Sequence, residues 1–137
     1  MAPAGYSGTP LIKKLGIKEG FRLKIVNPPA HLPELLENMP LVNYLDQPKQ
    51  NAADFIMLFC TTLQQLERQF KPLKKAMKAN GMFWICWPKK TSFLATELDG
   101  NIVRKYGLLN GLVDVKVCAV DKDWSGLKFM YRLNDRK

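Results

Sequence analysis

The sequence predicts a three-layer α/β domain with a mixed, mostly parallel sheet that ends in an antiparallel hairpin. Three short apolar runs with little alternation, at residues 21–27, 54–60 and 82–87, are typical of strands that helices cover on both faces. A helical pattern separates the second run from the third, and two alternating runs end the chain. Strands that alternate with helices favour right-handed crossovers and helices on both faces of the sheet.

The composition is that of one folded, basic domain. The 137 residues include 21 Lys+Arg and 12 Asp+Glu, so the formal net charge is +9 with the single histidine neutral. We predict one domain over residues 1–137, with an N-terminal arm and a short helix in residues 1–20. No apolar run approaches the ~18 residues of a membrane span, and no secretory signal is recognised, so we expect a cytoplasmic protein without a membrane partner. Three cysteines and one histidine form no metal-binding pattern, so no metal is predicted.

The chain is expected to open with a strand, a helix and a second strand. The first strand, residues 21–27, runs into the turn Asn27-Pro28-Pro29. A short helix at residues 32–39 and a short strand at residues 41–45 follow it.

A crossover helix is predicted between residues 61 and 80. Thr61 and Gln64 form a candidate capping box at its start, and Pro72 predicts a kink or two consecutive helices. The apolar side chains recur at spacings of three and four, which is the period of one buried helical stripe: Leu63, Leu66, Phe70, Leu73 and Met77.

The C-terminal third predicts one helix and one hairpin. The helix ends near Tyr106 and begins after Thr96 or Asp99, both good N-caps between which propensity does not decide. Apolar and polar residues then alternate at 113–120 and 127–133, which predicts an antiparallel hairpin closed by a turn at residues 121–126.

This topology predicts where a ligand would bind. In open α/β sheets, ligands lie outside the carboxyl ends of the parallel strands, where the loops converge. The predicted ligand-binding residues come from four such segments: Asn27, Trp87, Lys89, Lys90, Asp121, Trp124 and Ser125.

Each of these residues has a structural reading beside the functional one. Lys89 and Lys90 could clamp an anion while Trp87 stacks on a ring, or they could form a solvated loop next to a buried tryptophan. Trp124 could be a ligand wall or a plug at the end of the sheet. Asp121 and Ser125 could be its polar partners or ordinary turn formers.

Three other groups of residues have both a functional and a structural interpretation. His31 is read as a surface or capping histidine, and a Ser-His-Asp triad lacks the Gly-x-Ser-x-Gly sequence. Tyr6 and Ser7 could form a lid over the site or part of a packing arm. One face of the crossover helix is basic and could attract polyanions weakly, since no aromatics are interleaved with its lysines: Lys71, Lys74, Lys75 and Lys78.

Several motifs together resemble a bacterial family of unknown function. They are Gly5-Tyr6-Ser7-Gly8-Thr9-Pro10-Leu11, Lys13-Lys14-Leu15-Gly16-Ile17, Trp87-Pro88-Lys89-Lys90, Gly111-Leu112-Val113-Asp114, Lys116-Val117-Cys118-Ala119-Val120-Asp121 and Trp124-Ser125-Gly126-Leu127. The resemblance covers nearly the whole chain, and its Trp-Pro-Lys and Trp-Ser-Gly elements fall on the predicted edge. It implies no activity.

The order of elements also resembles the Rossmann-like fold of class I methyltransferases. Those enzymes hold S-adenosylmethionine with a glycine-rich turn after the first strand, whereas the turn here reads Val26-Asn27-Pro28-Pro29-Ala30. Proline supplies no amide donor, so the resemblance implies the fold and leaves the cofactor unknown.

The function we predict from the sequence is a domain that binds a small anionic ligand or nucleotide, with no reaction assigned. The alternative is a basic polyanion- or protein-interaction module on a degenerate methyltransferase-like fold, with nucleic acid as a weaker partner. A methyltransferase with an unusual cofactor site is the third reading, which the fold permits and the first loop opposes.

Overall fold

A six-stranded sheet lies between two layers of helices in the structure, a computed structural model that describes residues 9–136. The strands are β1 (Arg22–Val26), β2 (Asn43–Tyr44), β3 (Ala53–Phe59), β4 (Met77–Pro88), β5 (Leu112–Ala119) and β6 (Trp124–Tyr131). The helices are α1 (Leu11–Leu15), α2 (Leu32–Leu35), α3 (Leu63–Ala76) and α4 (Gly100–Leu109). None of the helices in this part of the chain has the length and apolar character needed to cross a membrane.

The strand order is β2-β1-β3-β4-β6-β5. Neighbouring strands are parallel except that β6 is antiparallel to both β4 and β5. This mixed, mostly parallel sheet with an antiparallel C-terminal hairpin confirms the predicted fold class. The other five strands therefore end at the same side of the sheet, which we call the carboxyl edge.

Each face of the sheet carries its own apolar core. On the face covered by α3 and α4, the ring of Phe70 stacks on Phe83 at 5.6 Å and meets Tyr106 edge-on at 5.1 Å between ring centres. On the face covered by α1 and α2, the buried Trp84 donates from Nε1 to the carbonyl oxygen of Leu15 at 2.9 Å. We call these the α3/α4 face and the α1/α2 face.

The start of α3 lies one residue later than predicted. Thr62 is the N-cap: its hydroxyl accepts from the Gln65 amide at 3.1 Å, and Gln65 Oε1 accepts from the Thr61 amide at 2.7 Å. The capping box is therefore Thr62 with Gln65, and the predicted pair Thr61 with Gln64 is wrong. The shift arises because the Cys60 amide still donates to the sheet, so the chain turns one residue later.

The end of α3 also differs from the prediction. The helix runs without interruption through the exposed Pro72 and stops at Ala76, so the expectation of two consecutive helices is wrong. Met77 already belongs to β4, where it pairs with Ala53. Its spacing matched the helical stripe by coincidence, because a buried strand residue is apolar for the same reason as a buried helix residue.

The opening unit is shorter than predicted. Helix α2 is a single turn of four residues instead of residues 32–39, and β2 has two residues instead of five. Asn38 adopts a positive φ of 60° after the helix, and Pro40 follows it, so the chain cannot stay helical there.

The closing helix and hairpin follow the prediction with two refinements. Asp99 is the N-cap of α4, and its Oδ1 accepts from the Ile102 amide at 3.0 Å. The hairpin turn is tighter than the predicted residues 121–126, because β6 already begins at Trp124. The Val120 amide donates to the Trp124 carbonyl at 2.9 Å and closes the turn.

Candidate functional site

A cleft of about 640 Å³ opens at the carboxyl edge on the α1/α2 face. This volume is typical of small-molecule sites. Three segments that are distant in sequence form its walls: the loop after β1 with α2, the loop between β4 and α4, and the hairpin turn between β5 and β6. The lining residues are Pro29, His31, Leu35, Phe93, Leu94, Asp121, Lys122, Asp123 and Trp124.

Asp121 anchors the hairpin wall. It is only 5% exposed, and its Oδ1 accepts from the amides of Asp123 and Trp124, each at 2.8 Å. An aspartate that bonds to the backbone two and three residues ahead fixes a tight turn. The same side chain has its second carboxylate oxygen free to bind elsewhere.

His31 forms a hydrogen bond with that second oxygen. Its Nε2 lies 2.6 Å from Oδ2 of Asp121, although the two residues are 90 positions apart. Because the carboxylate accepts at both oxygens, Nε2 is the protonated nitrogen of the ring, an assignment made from the hydrogen-bond network. His31 is the N-cap residue of α2, but its side chain makes no cap hydrogen bond; the ring bonds to Asp121 and stays about half exposed at the cleft.

Trp124 lines the cleft, and one of its polar atoms has no hydrogen-bond partner among the described residues. The residue is 6% exposed, and its ring meets Phe59 edge-on at 5.1 Å. Within residues 9–136, its buried Nε1 donates to no acceptor. A buried N–H without a partner is uncommon and costly.

The loop after β4 forms the third wall and is tied to the hairpin turn. The Lys89 amide donates to the Asp123 carbonyl at 2.8 Å, and the Ser92 hydroxyl donates to Asp123 Oδ1 at 2.9 Å. Ser92 also accepts from the Leu94 amide at 3.0 Å. These bonds fix the backbone on both sides of Phe93, whose ring is 88% exposed beside the cleft.

Two of the predicted ligand residues lie on the opposite face. Trp87 and Ser125 are paired across β4 and β6, and Trp87 packs in the α3/α4 core. A Cβ placed on Gly100 would lie 2.9 Å from the Trp87 ring, which shows how closely α4 covers it. These two residues therefore do not share the cleft with Asp121 and Trp124.

Three further predicted residues lie at the carboxyl edge without lining the cleft. Asn27 is exposed after β1 with a positive φ of 56°. Lys89 is half-buried, and Lys90 Nζ lies 3.7 Å from Asp99 Oδ2 on an exposed side chain. The anion clamp formed by the two lysines remains a prediction, as do the predicted lid residues Tyr6 and Ser7, which lie outside the described residues.

Sequence reasoning missed His31 and Phe93 as site residues. Both stand in loops that follow strands of the parallel set, so the rule that selected Asp121 and Trp124 also covers them. The prediction of a surface or capping histidine fits its exposed position at the N-cap of α2, but the sequence gives no local signal for its bond to Asp121, 90 positions away.

The three thiols are poor nucleophiles at this edge. Cys60, Cys86 and Cys118 are all buried. Burial raises the pKa of Cys60 to about 12, and it raises the pKa of Cys86 well above its ordinary value, with the neighbouring Cys60 adding to the effect. A protonated thiol is a weak nucleophile, so these side chains pack as small apolar groups.

The chain is similar in structure to several S-adenosylmethionine-dependent methyltransferases and to a cyclase. A methyltransferase of this kind from Aquifex aeolicus has 19% sequence identity and a TM-score of 0.59, over 89% of this chain and 88% of that one. A TehB-like methyltransferase from Corynebacterium glutamicum has 11% identity and a TM-score of 0.55, over 89% and 85%. The [4+2]-cyclase SpnF has 9% identity and a TM-score of 0.56, over 88% and 79%.

These likenesses establish a methyltransferase-like fold. No protein-family model matches the chain, and no curated protein matches it. The resemblance to a bacterial family of unknown function therefore remains a prediction. Because one of the similar structures is a cyclase, the fold alone does not define a reaction.

The loop after β1 does not fit the cradle that holds S-adenosylmethionine in such folds. Pro28 and Pro29 in the loop, and Pro33 in α2, carry no amide hydrogen, and the Leu32 amide already donates to the Pro29 carbonyl at 3.0 Å. Helix α2 is a single turn, which leaves little helix dipole to attract a carboxylate.

Proposed function

We propose that the cleft at the carboxyl edge binds a small organic molecule with an apolar or aromatic body and an oxygen acceptor, such as a carboxylate or a carbonyl. The observation that carries this proposal is Trp124, a residue of the cleft lining whose buried Nε1 has no acceptor among residues 9–136. A ligand oxygen would satisfy this donor, and the gain would offset part of the cost of binding.

The side chains that line the cleft favour a ligand with an apolar body. Pro29, Leu35, Phe93 and Leu94 present apolar surface to the cleft, and Phe93 is the most exposed of them. Stacking on such a ring adds to the area that binding buries.

The overall charge of the chain favours an anion over a cation, although the lining of the cleft itself carries two carboxylates and one lysine. Asp121 is partnered by His31 and two amides, and Asp123 accepts from Ser92, so both carboxylates on the wall are already engaged. Lys122 is exposed on the same wall. The formal charge of +9 over the whole chain attracts anions to the surface.

A thermal-shift panel tests the proposal. The probes are phenylpyruvate, phenylacetate, AMP and S-adenosylmethionine at moderate salt, with wild type, Trp124→Phe, Lys122→Ala and the control Lys105→Ala, an exposed lysine of α4. An aromatic carboxylate at about 100 times its Kd should stabilise wild type by ~2.7 kcal/mol, which is several degrees. Trp124→Phe should weaken binding by removing the indole donor, and Lys105→Ala should leave it unchanged. No shift by any probe, or equal shifts in all four proteins, would contradict the proposal.

A second candidate function rests on a groove of about 550 Å³ beside α3. Its lining places Tyr131 next to Lys71, Lys74 and Lys75, so an aromatic side chain does lie among the lysines of the basic helix face. Lys74 is partly engaged, because its Nζ donates to the Asn110 carbonyl at 2.8 Å. Short RNA or DNA that binds at low salt and is released by Lys71→Ala with Lys75→Ala would support the polyanion module.

A further inference from the structure

We infer that His31 is a general base that enolises a carbonyl compound bound in the cleft, with Asp121 holding the ring and Trp124 holding the oxygen. The inference rests on the proposed function, because it needs such a compound to occupy the cleft. It adds a reaction and a substrate class: a ketone or α-keto acid with an ionisable C–H bond next to its carbonyl group.

The first observation is the free nitrogen of His31. Asp121 Oδ2 accepts a hydrogen bond from the Nε2–H group at 2.6 Å, and in the neutral ring Nδ1 then keeps its lone pair. No hydrogen bond to Nδ1 forms within the described part of the chain, and the His31 side chain makes no cap bond to α2. A histidine oriented by a carboxylate, with its other nitrogen open at a cleft, has the geometry of a general base.

The second observation is that the Asp121 carboxylate next to the ring is fixed in place. When Nδ1 accepts a proton the imidazole becomes positive, and the Asp121 carboxylate next to Nε2 offsets that charge. Asp121 does not need to move, because two backbone amides hold its other oxygen at 2.8 Å. A preorganised carboxylate stabilises the charged ring without reorganisation at the moment of transfer.

The third observation is a donor for the developing enolate. Trp124 belongs to the same cleft lining as His31, and its unpartnered Nε1 is buried, so a carbonyl oxygen reaches it only when the groups that cover it move aside. Removal of a proton next to a carbonyl places negative charge on the carbonyl oxygen. A fixed N–H donor in a site of low dielectric stabilises that charge more than water-exposed donors do.

The step balances without a further reactant. The C–H bond next to the carbonyl breaks, its electron pair forms the C=C bond of the enolate, and the carbonyl π pair moves to oxygen. The proton goes to Nδ1 of His31. It then returns to the enolate oxygen to give the enol, or solvent exchanges it and it returns to carbon, so nothing is oxidised or reduced.

The test is deuterium exchange at the benzylic carbon of phenylpyruvate in D₂O, followed by proton NMR and corrected for the rate in buffer. Binding of phenylpyruvate is measured in parallel for each protein. We expect wild type and Lys105→Ala to accelerate exchange equally. His31→Gln keeps a side-chain donor for Asp121 and removes the basic nitrogen, so it should lower the protein-dependent rate by about 100-fold or more. Imidazole added to His31→Ala should restore part of the rate.

The outcomes separate the two proposals. If phenylpyruvate binds and wild type does not exceed buffer, or if His31→Gln exchanges as fast as wild type, the enolisation inference is wrong and the binding function stands. If phenylpyruvate does not bind wild type, the proposed ligand class is wrong and the inference falls with it. Imidazole rescue of His31→Ala separates loss of the base from loss of the fold, because a misfolded variant would not respond.

Discussion

Replacing Phe70 with alanine should lower the free energy of unfolding by about 3–5 kcal/mol. The side chain of Phe70 is fully buried in α3, and its ring lies between Phe83 of the sheet and Tyr106 of α4, with centroid distances of 5.6 Å and 5.1 Å. Truncation leaves a cavity where three elements meet, and a helix, a strand and a second helix cannot all move in to fill it. Urea denaturation followed by circular dichroism measures the change.

Gln64→Ala is the matched control for Phe70→Ala. It lies on the same helix, is exposed, and takes no part in the Thr62–Gln65 cap, so its effect should stay within about 0.5 kcal/mol. If the two variants lost similar stability, the packing of α3 against the sheet would be wrong.

Replacing Asp121 with alanine should cost about 2–4 kcal/mol, because the amides of Asp123 and Trp124 lose their acceptor in a buried turn. Asp121→Asn keeps an oxygen for both amides, so it should cost clearly less. Thermal and urea denaturation of the two variants measure the difference. Equal costs for Asn and Ala would show that the side chain does not hold the hairpin as described.

The fold could be predicted where its signals are local. The buried strands and the stripe of α3 were found because apolar periodicity depends only on which face of an element is covered. The wrong predictions occur where one sequence pattern fits two different structures. Met77 fits both a helical stripe and a buried strand, and Thr61 and Thr62 offer two overlapping caps, one residue apart.

The sequence predicts at which edge of the sheet the site lies, but not which side chains meet there. Topology placed Asp121 and Trp124 at the end of the sheet, where both line the cleft. Topology predicts the same edge for Trp87 and Ser125. Successive side chains of a strand point to opposite faces of the sheet, however. The register of β4 with β6 therefore puts this pair on the α3/α4 face. The bond between His31 and Asp121 depends on the tertiary arrangement of two loops.

The tryptophan side chains offer the most direct measurement of the central claim, which is that a ligand fills the cleft over Trp124. The chain has three indole N–H groups in three environments: Trp84 donates to Leu15, Trp87 packs on the α3/α4 face, and Trp124 lines the cleft with its Nε1 buried and unpartnered. A ¹H–¹⁵N spectrum with and without phenylpyruvate, assigned with Trp124→Phe, resolves them. The account predicts that the Trp124 signal moves while those of Trp84 and Trp87 stay in place. A shift of the Trp87 signal alone, or of none, would contradict it.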